Sequence, residues 1–169
     1  GYKKYFDIDS FIEWFIVNEL LKNCDASGFS SIFFYKKRGD DKLYMGPAWD
    51  FDLSMGNARH APACQITSGW WIKTSPRYSR MFLDQEFKDR VKYIWNQKKS
   101  DINRIIESID LWSEEIEISR EKNFILWPNF EDPDYFVIPG NTTYDLQLMY
   151  IKTFLEERFE WLNDRLNNL

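Results

Sequence analysis

Apolar residues recur at helical spacing near the start of the chain, at Phe11, Trp14, Phe15, Val17 and Leu21. Ser10 and Glu13 have the S-x-x-E spacing of a capping box, in which the two side chains satisfy backbone donors at a helix start. The pattern therefore predicts an amphipathic helix over residues 10–22.

Helical spacing returns in the second half of the chain. Three groups of apolar positions carry it: Phe87, Val91, Ile94 and Trp95; Ile102, Ile105, Ile106, Ile109 and Trp112; and Leu148, Ile151, Leu155, Leu162 and Leu166. They predict a helix from Asp84, a second helix that extends to Trp127, and a last helix after the interruptions at Pro128, Pro133 and Pro139.

Between the first two helical regions the pattern changes to a β-hairpin. The aromatic run at residues 32–35 and the apolar residues 43–45 flank turn residues at 38–41. Strand content is small beside the helices, so we expect a helix-dominated α+β fold in one domain, with the hairpin packed on a helical body. The expected core of that body includes Trp14, Phe51, Trp95, Ile105 and Leu155.

The turn position also sets a register for the hairpin. If the turn is centred between Gly39 and Asp40, the numbers of paired residues sum to about 79, which puts Asp50 opposite Phe29 and beside the loop that carries Asp25. Strand side chains alternate between faces. We therefore expect Asp50 and Asp52 on one face, and the two aromatic residues at 49 and 51 in the core.

Three carboxylates, those of Asp25, Asp50 and Asp52, would then converge. Carboxylates at short range repel unless a proton or a cation neutralises them, and oxygen ligands suit Mg²⁺ or a similar hard cation. Two structural alternatives remain open. Asn23 and Asp25 follow a helix end, where such side chains commonly cap the backbone, and the other two aspartates could cap the loop after the strand.

Composition narrows the possible partners. The 169 residues are 44% hydrophobic and 18% aromatic, with a formal net charge of -5. This apolar content predicts a folded protein, and the acidic balance without a basic run argues against nucleic acid. No apolar stretch is long enough for a membrane span. Cys24 and Cys64 form no zinc-binding spacing, and we expect them to be unpaired because Cys24 lies between two candidate site residues.

Several motifs in this order resemble the spore coat protein H (CotH) kinase family. They are Asp9-Ser10-Phe11, Asn18-Glu19-Leu20, Asn23-Cys24-Asp25, Tyr35-Lys36, Gly46-Pro47-Ala48-Trp49-Asp50-Phe51-Asp52, Gly56-Asn57, Phe82-Leu83-Asp84-Gln85-Glu86-Phe87 and Arg158-Phe159-Glu160-Trp161-Leu162. The likeness covers nearly the whole chain. Members of the family are similar to atypical protein kinases, which transfer the γ-phosphoryl of ATP to protein hydroxyls, and they occur on spore coats and in secreted bacterial proteins.

The resemblance implies roles for the acidic residues. Asp25 would position the substrate hydroxyl, Asp50 would hold Mg²⁺, and Asp52 would be a second metal ligand, with Asn23 in support. Kinases usually place an Asn about five residues after the catalytic Asp to hold a second metal. Ser30 and Ser31 occupy that stretch here and are further supporting candidates.

The resemblance also implies a larger domain and a location. Only nine residues precede the first predicted helix, so the chain resembles a kinase C-terminal lobe whose N-terminal, ATP-binding lobe is absent. No cofactor is expected to be needed for folding. The family favours the cell surface or the exterior. The alternative function is a non-catalytic binding module, in which exposed aromatics such as Trp70 and Trp71, within the irregular loop 53–77, contact a carbohydrate or a protein.

Overall fold

The computed structural model describes residues 1–28, 30–58, 61–129 and 143–169. The helices are α1 (Ile8–Leu20), α2 (Pro76–Met81), α3 (Gln85–Glu107), α4 (Ile109–Glu115), α5 (Glu117–Leu126) and α6 (Tyr144–Asn167), and the strands are β1 (Phe34–Lys36) and β2 (Leu43–Met45). Short 3₁₀ turns occur at Tyr2–Lys4, Asp25–Ser27, Pro62–Cys64 and Ile72–Thr74. This is the expected helix-dominated α+β fold. None of the described helices is long and apolar enough to cross a membrane.

Helix α1 begins two residues before the predicted start. Asp7 is its N-cap, and the carboxylate accepts a hydrogen bond from the backbone N–H of Ser10 at 3.0 Å. The capping box predicted at Ser10 is therefore wrong. The Ser10 hydroxyl instead donates to the Asp7 carbonyl and accepts from the backbone N–H of Met45 at 3.1 Å. Its role is to tie the start of α1 to β2.

The core forms where α1 packs against α3 and α6. Its largest fully buried apolar side chains are Trp95, Tyr78, Phe11, Phe15, Phe87, Phe154, Ile12, Ile72, Leu162 and Leu166. Trp14, Trp95 and Leu155 are buried as predicted. Ile105 is 54% exposed, contrary to prediction, because α3 turns the neighbouring Ile106 inward at this point.

Helix boundaries after Asp84 differ from the predicted ones. Asp84 caps α3, which continues without interruption to Glu107 because it contains neither glycine nor proline. The helix ends at Ser108, whose hydroxyl donates to the Arg104 carbonyl and so competes with the helical pattern. A second break at Ile116 separates α4 from α5. The predicted interruptions at Pro133 and Pro139 lie outside the described residues.

The hairpin has the predicted register. Phe34 pairs with Met45, Tyr35 with Tyr44 and Lys36 with Leu43, so each pair sums to 79. Beyond the paired strands, the Gly46 N–H donates a further hydrogen bond to the Phe33 carbonyl at 2.6 Å. A Cβ on Gly46 would lie 2.6 Å from the same carbonyl oxygen, so a glycine is needed here.

The predicted extension of the second strand through residues 49–52 is wrong. Asp50 has φ 62°, a left-handed conformation that ends any strand. Alternation of faces therefore does not apply. Trp49 is 58% exposed and Phe51 is half-buried, so neither belongs to the core as expected. The predicted pairing partner of Asp50, Phe29, lies outside the described residues.

A buried ion pair joins α1 to α6. Arg158 donates from Nη2 to Glu19 Oε1 at 2.6 Å, and both side chains are fully buried. Burial raises the pKa of Glu19, and the neighbouring guanidinium acts in the opposite direction. The remaining polar atoms are used to hold the loop between the hairpin and α2. Glu19 accepts the backbone N–H groups of Trp71 and Lys73, and Arg158 donates to the carbonyls of Thr67 and Gly69.

Replacing Arg158 by Met should destabilise the protein strongly. The variant leaves the Glu19 carboxylate buried without its cation, and breaking a buried pair in this way typically costs about 3–5 kcal/mol. Urea unfolding followed by circular dichroism measures the loss in the free energy of unfolding. The control is Arg90→Met, which removes an exposed pair with Asp9 and should have little effect. Equal losses in the two variants would contradict the assigned importance of the buried pair.

Candidate functional site

Two asparagines at the end of α1 organise the site. Asn18 is buried and donates from its amide to the Trp14 carbonyl at 2.9 Å, which turns its own Oδ1 toward Asn23. The amide Nδ2 of Asn23 donates to that oxygen at 3.2 Å and to the backbone carbonyl of Asp50 at 3.1 Å. A fully buried side chain therefore connects the end of a core helix to the loop after the hairpin.

Asp50 is held at both its backbone and its side chain. Its carbonyl and that of Trp49 accept from Asn23, at 3.1 and 3.4 Å, which stabilises the left-handed backbone. Its carboxylate oxygen Oδ2 accepts from the hydroxyl of Ser31 at 3.0 Å. Asp50 is exposed. The carboxylate is thus positioned by the protein while it remains accessible to a ligand.

Asp25 lies on the neighbouring loop. It begins the turn Asp25–Ser27 and is half-buried. The preceding backbone N–H, that of Cys24, donates to the Leu53 carbonyl at 2.9 Å, and the Asp25 carbonyl accepts from the Ser30 N–H at 3.4 Å. These bonds bring the loop of Asp25 alongside the segment that follows Asp50.

The predicted cluster of three carboxylates is not found. In the described parts of the chain, no group of three or more His, Cys, Asp and Glu side chains could hold a metal ion. Asp52 is exposed, and its carbonyl accepts from Asn57. The left-handed turn at Asp50 removes the alternation on which convergence depended. Direct hydrogen bonds join Asp50 to Asn23 and to Ser31. Because Asn23 is two residues before Asp25, these bonds also bring the loop of Asp50 beside the loop of Asp25.

The donor set is nevertheless compatible with a hard cation. Mg²⁺ usually keeps several waters and takes only one or two protein carboxylates together with substrate phosphates. The accessible carboxylate of Asp50 meets that requirement. Asn23, whose amide bonds to the Asp50 backbone, has a buried Oδ1 acceptor with no hydrogen-bond partner among the described residues.

Sequence reasoning named Asn18 and Arg158 within the family motifs but assigned neither of them a role. An asparagine within an otherwise apolar stretch of α1 was a visible signal, because a buried amide needs a partner. Arg158 gave no such signal, since it bonds to a residue 139 positions away in sequence.

The tryptophans of the alternative binding-module hypothesis are packed within the protein. Trp70 meets Trp161 edge to face with ring centroids 5.0 Å apart, and Trp71 donates from its indole to the Cys24 carbonyl at 3.0 Å. Both are partly buried against the core. The hypothesis thereby loses the exposed aromatic pair on which it rested. The structure contains no disulfide between Cys24 and Cys64, and both cysteines are buried.

Comparison with known proteins gives one family match. A family model described as "CotH kinase protein" matches residues 1–162 of the 169, a range that contains every residue of the candidate site. No curated protein and no solved structure gives a significant match.

Replacing Asn23 by Ala should loosen the loop of Asp50 and destabilise the fold. The variant leaves two backbone carbonyls and the Asn18 amide oxygen without their common donor, and such a loss costs about 1–3 kcal/mol. Chemical denaturation would measure the change, and amide hydrogen exchange at residues 49–51 should accelerate. Ser31→Ala, which removes an exposed hydrogen bond to the same aspartate, is the matched control and should change the stability little. Unchanged exchange in Asn23→Ala would refute the positioning role.

Proposed function

Because this chain belongs to the CotH kinase protein family, we propose that it carries the phosphoryl-transfer site of an atypical protein kinase, with Asp25 and Asp50 as the principal carboxylates. One observation carries the proposal. Asn23, two residues before Asp25, donates directly to the backbone carbonyl of Asp50. This bond couples the two loops that phosphoryl transfer requires to be aligned.

Asp25 is proposed to position the hydroxyl of the acceptor protein. In kinases, the catalytic-loop aspartate accepts the hydroxyl proton as the phosphoryl group leaves its donor. Asp25 is half-buried at the start of a short turn, and its loop is tied to the chain after Asp50 through the Cys24 and Leu53 backbones. The role needs an accessible carboxylate on a loop whose backbone is held in place.

Asp50 is proposed to hold Mg²⁺, with Asp52 as a second, outer ligand. Bound Mg²⁺–ATP would supply the transferable phosphoryl group and the cation that neutralises its charge. Asp50 offers an accessible carboxylate whose position is set by Asn23 and Ser31. Ser31 lies near the position at which kinases usually carry the asparagine that holds a second metal. We assign Ser31 the lesser role of orienting Asp50. Ser30 supports the turn through its bond to Asp25.

The nucleotide-covering part of the kinase is proposed to lie outside these residues. A kinase covers the phosphates with a glycine-rich loop and a strand lysine, whereas the described residues contain only one two-stranded sheet. The chain would then act as a C-terminal lobe that cooperates with an N-terminal lobe of the same protein. The family favours an acceptor protein outside the cell or on its surface.

Removing either carboxylate should abolish most activity of the full-length protein. Asp25→Asn removes the proton acceptor, a loss that typically costs ~10²–10⁴-fold in rate, and Asp50→Asn should be at least as severe because it removes the metal ligand. Transfer of radiolabelled phosphate from ATP to protein measures the activity of both variants. Asp41→Asn, at an exposed position in the hairpin turn, is the matched control and should retain activity. Full activity in Asp50→Asn with intact folding would contradict the proposed site.

The isolated 169-residue chain should bind ATP weakly and show no measurable kinase activity. The reason is the lack, in the described residues, of a lobe that could cover the phosphates. Isothermal titration calorimetry with Mg²⁺–ATP measures the affinity. Micromolar binding by this chain alone would show that the division into two lobes is wrong.

A further inference from the structure

Two cysteines are packed into one buried cluster next to the candidate site. Cys24 lies between Asn23 and Asp25, and Cys64 ends the turn Pro62–Cys64. Both belong to one small buried cluster that also contains Ala58, and their exposed fractions are 6% and 0%. A side-chain hydrogen bond with Cys24 is among the causes that raise the pKa of the Cys64 thiol. Residues 40 positions apart are thus packed together in one buried cluster.

Backbone hydrogen bonds fix both cysteines in place. The Cys24 N–H donates to the Leu53 carbonyl at 2.9 Å, and the Cys24 carbonyl accepts from the Trp71 indole at 3.0 Å. The Cys64 N–H donates to the Ala61 carbonyl at 2.8 Å. Hydrogen bonds to neighbouring residues therefore hold the backbone of each cysteine in position.

From this geometry we propose that Cys24 and Cys64 form a reversible intramolecular disulfide. The two side chains already share one buried cluster, and a disulfide would bring their sulfur atoms to about 2.05 Å. Oxidised glutathione is a sufficient oxidant. One protein thiolate attacks its disulfide and releases reduced glutathione, and the second protein thiol then displaces the other glutathione. The protein loses two electrons and two protons, and two glutathione thiols are formed.

The crosslink would brace the candidate site. It would close a loop that contains the hairpin, Ser31 and Asp50, and it would join the residue before Asp25 to the turn at residues 62–64. Burial raises the pKa of the Cys64 thiol to about 12, so little Cys64 thiolate exists at neutral pH, and attack by this thiol should be slow, with a rate that rises with pH. The proposal rests on the packing of the two cysteines in one buried cluster and does not depend on the proposed kinase function.

The decisive measurement is the equilibrium with glutathione, with and without urea. The purified chain is incubated over a range of reduced-to-oxidised glutathione ratios, and acid-trapped samples are analysed by intact mass for the loss of two hydrogen atoms. If the fold favours the bond, the equilibrium constant for the internal disulfide in native buffer should exceed that in concentrated urea by about tenfold or more. An equal or smaller constant in native buffer overturns the proposal.

Single-cysteine variants complete the test. Cys24→Ser and Cys64→Ser each retain one thiol and cannot form the internal bond, so any product with glutathione must be heavier than the starting chain. The oxidised parent chain should melt roughly 10 °C above its reduced form, because the crosslink restricts the unfolded state. A lower melting temperature for the oxidised chain, or oxidation only to mixed or intermolecular disulfides, would also overturn the proposal.

Discussion

The ion pair between Glu19 and Arg158 is the constraint on which the rest of the structure depends. Burying two charges away from solvent costs free energy unless the charges are paired and all their polar atoms have hydrogen-bond partners. Here the satisfying partners are the backbone groups of the loop before α2, at Thr67, Gly69, Trp71 and Lys73. The pair thus fixes α1, α6 and this loop in one arrangement, and it does so at the end of α1 from which the site is built.

That helix end leads directly to the site. One residue before Glu19 is Asn18, whose amide orients Asn23, and Asn23 in turn holds the backbone of Asp50. The non-glycine residues with left-handed backbones in the described parts of the chain are Lys22, Ser31, Asp50 and Met55, and all lie around this site. Such conformations cost free energy and persist where surrounding contacts enforce them, often at functional sites. We interpret this local strain as a consequence of placing Asp50 in an accessible position.

Local patterns predicted those features that depend on nearby residues. The turn at Gly39 and Asp40 was sufficient to give the register of the hairpin, because a short turn leaves few alternatives. The conformation of Asp50 could not be predicted, since it depends on the amide of Asn23, 27 positions earlier. Ile105 was misassigned for a related reason: its spacing fits an apolar face, and only the packing of α3 shows which neighbour turns inward.

The central claim is that Asp50 binds a metal–nucleotide complex beside the loop of Asp25, and paramagnetic broadening by Mn²⁺ tests it most directly, because it detects even weak binding. Mn²⁺ would be titrated, with ATP present, into the ¹⁵N-labelled chain and into Asp50→Asn. The account predicts that the amide signals of Ser31 and Asp50 broaden first in the parent chain and are spared in the variant. Preferential broadening at another acidic group, such as Asp84 at the start of α3, or the same broadening in both proteins, would contradict it.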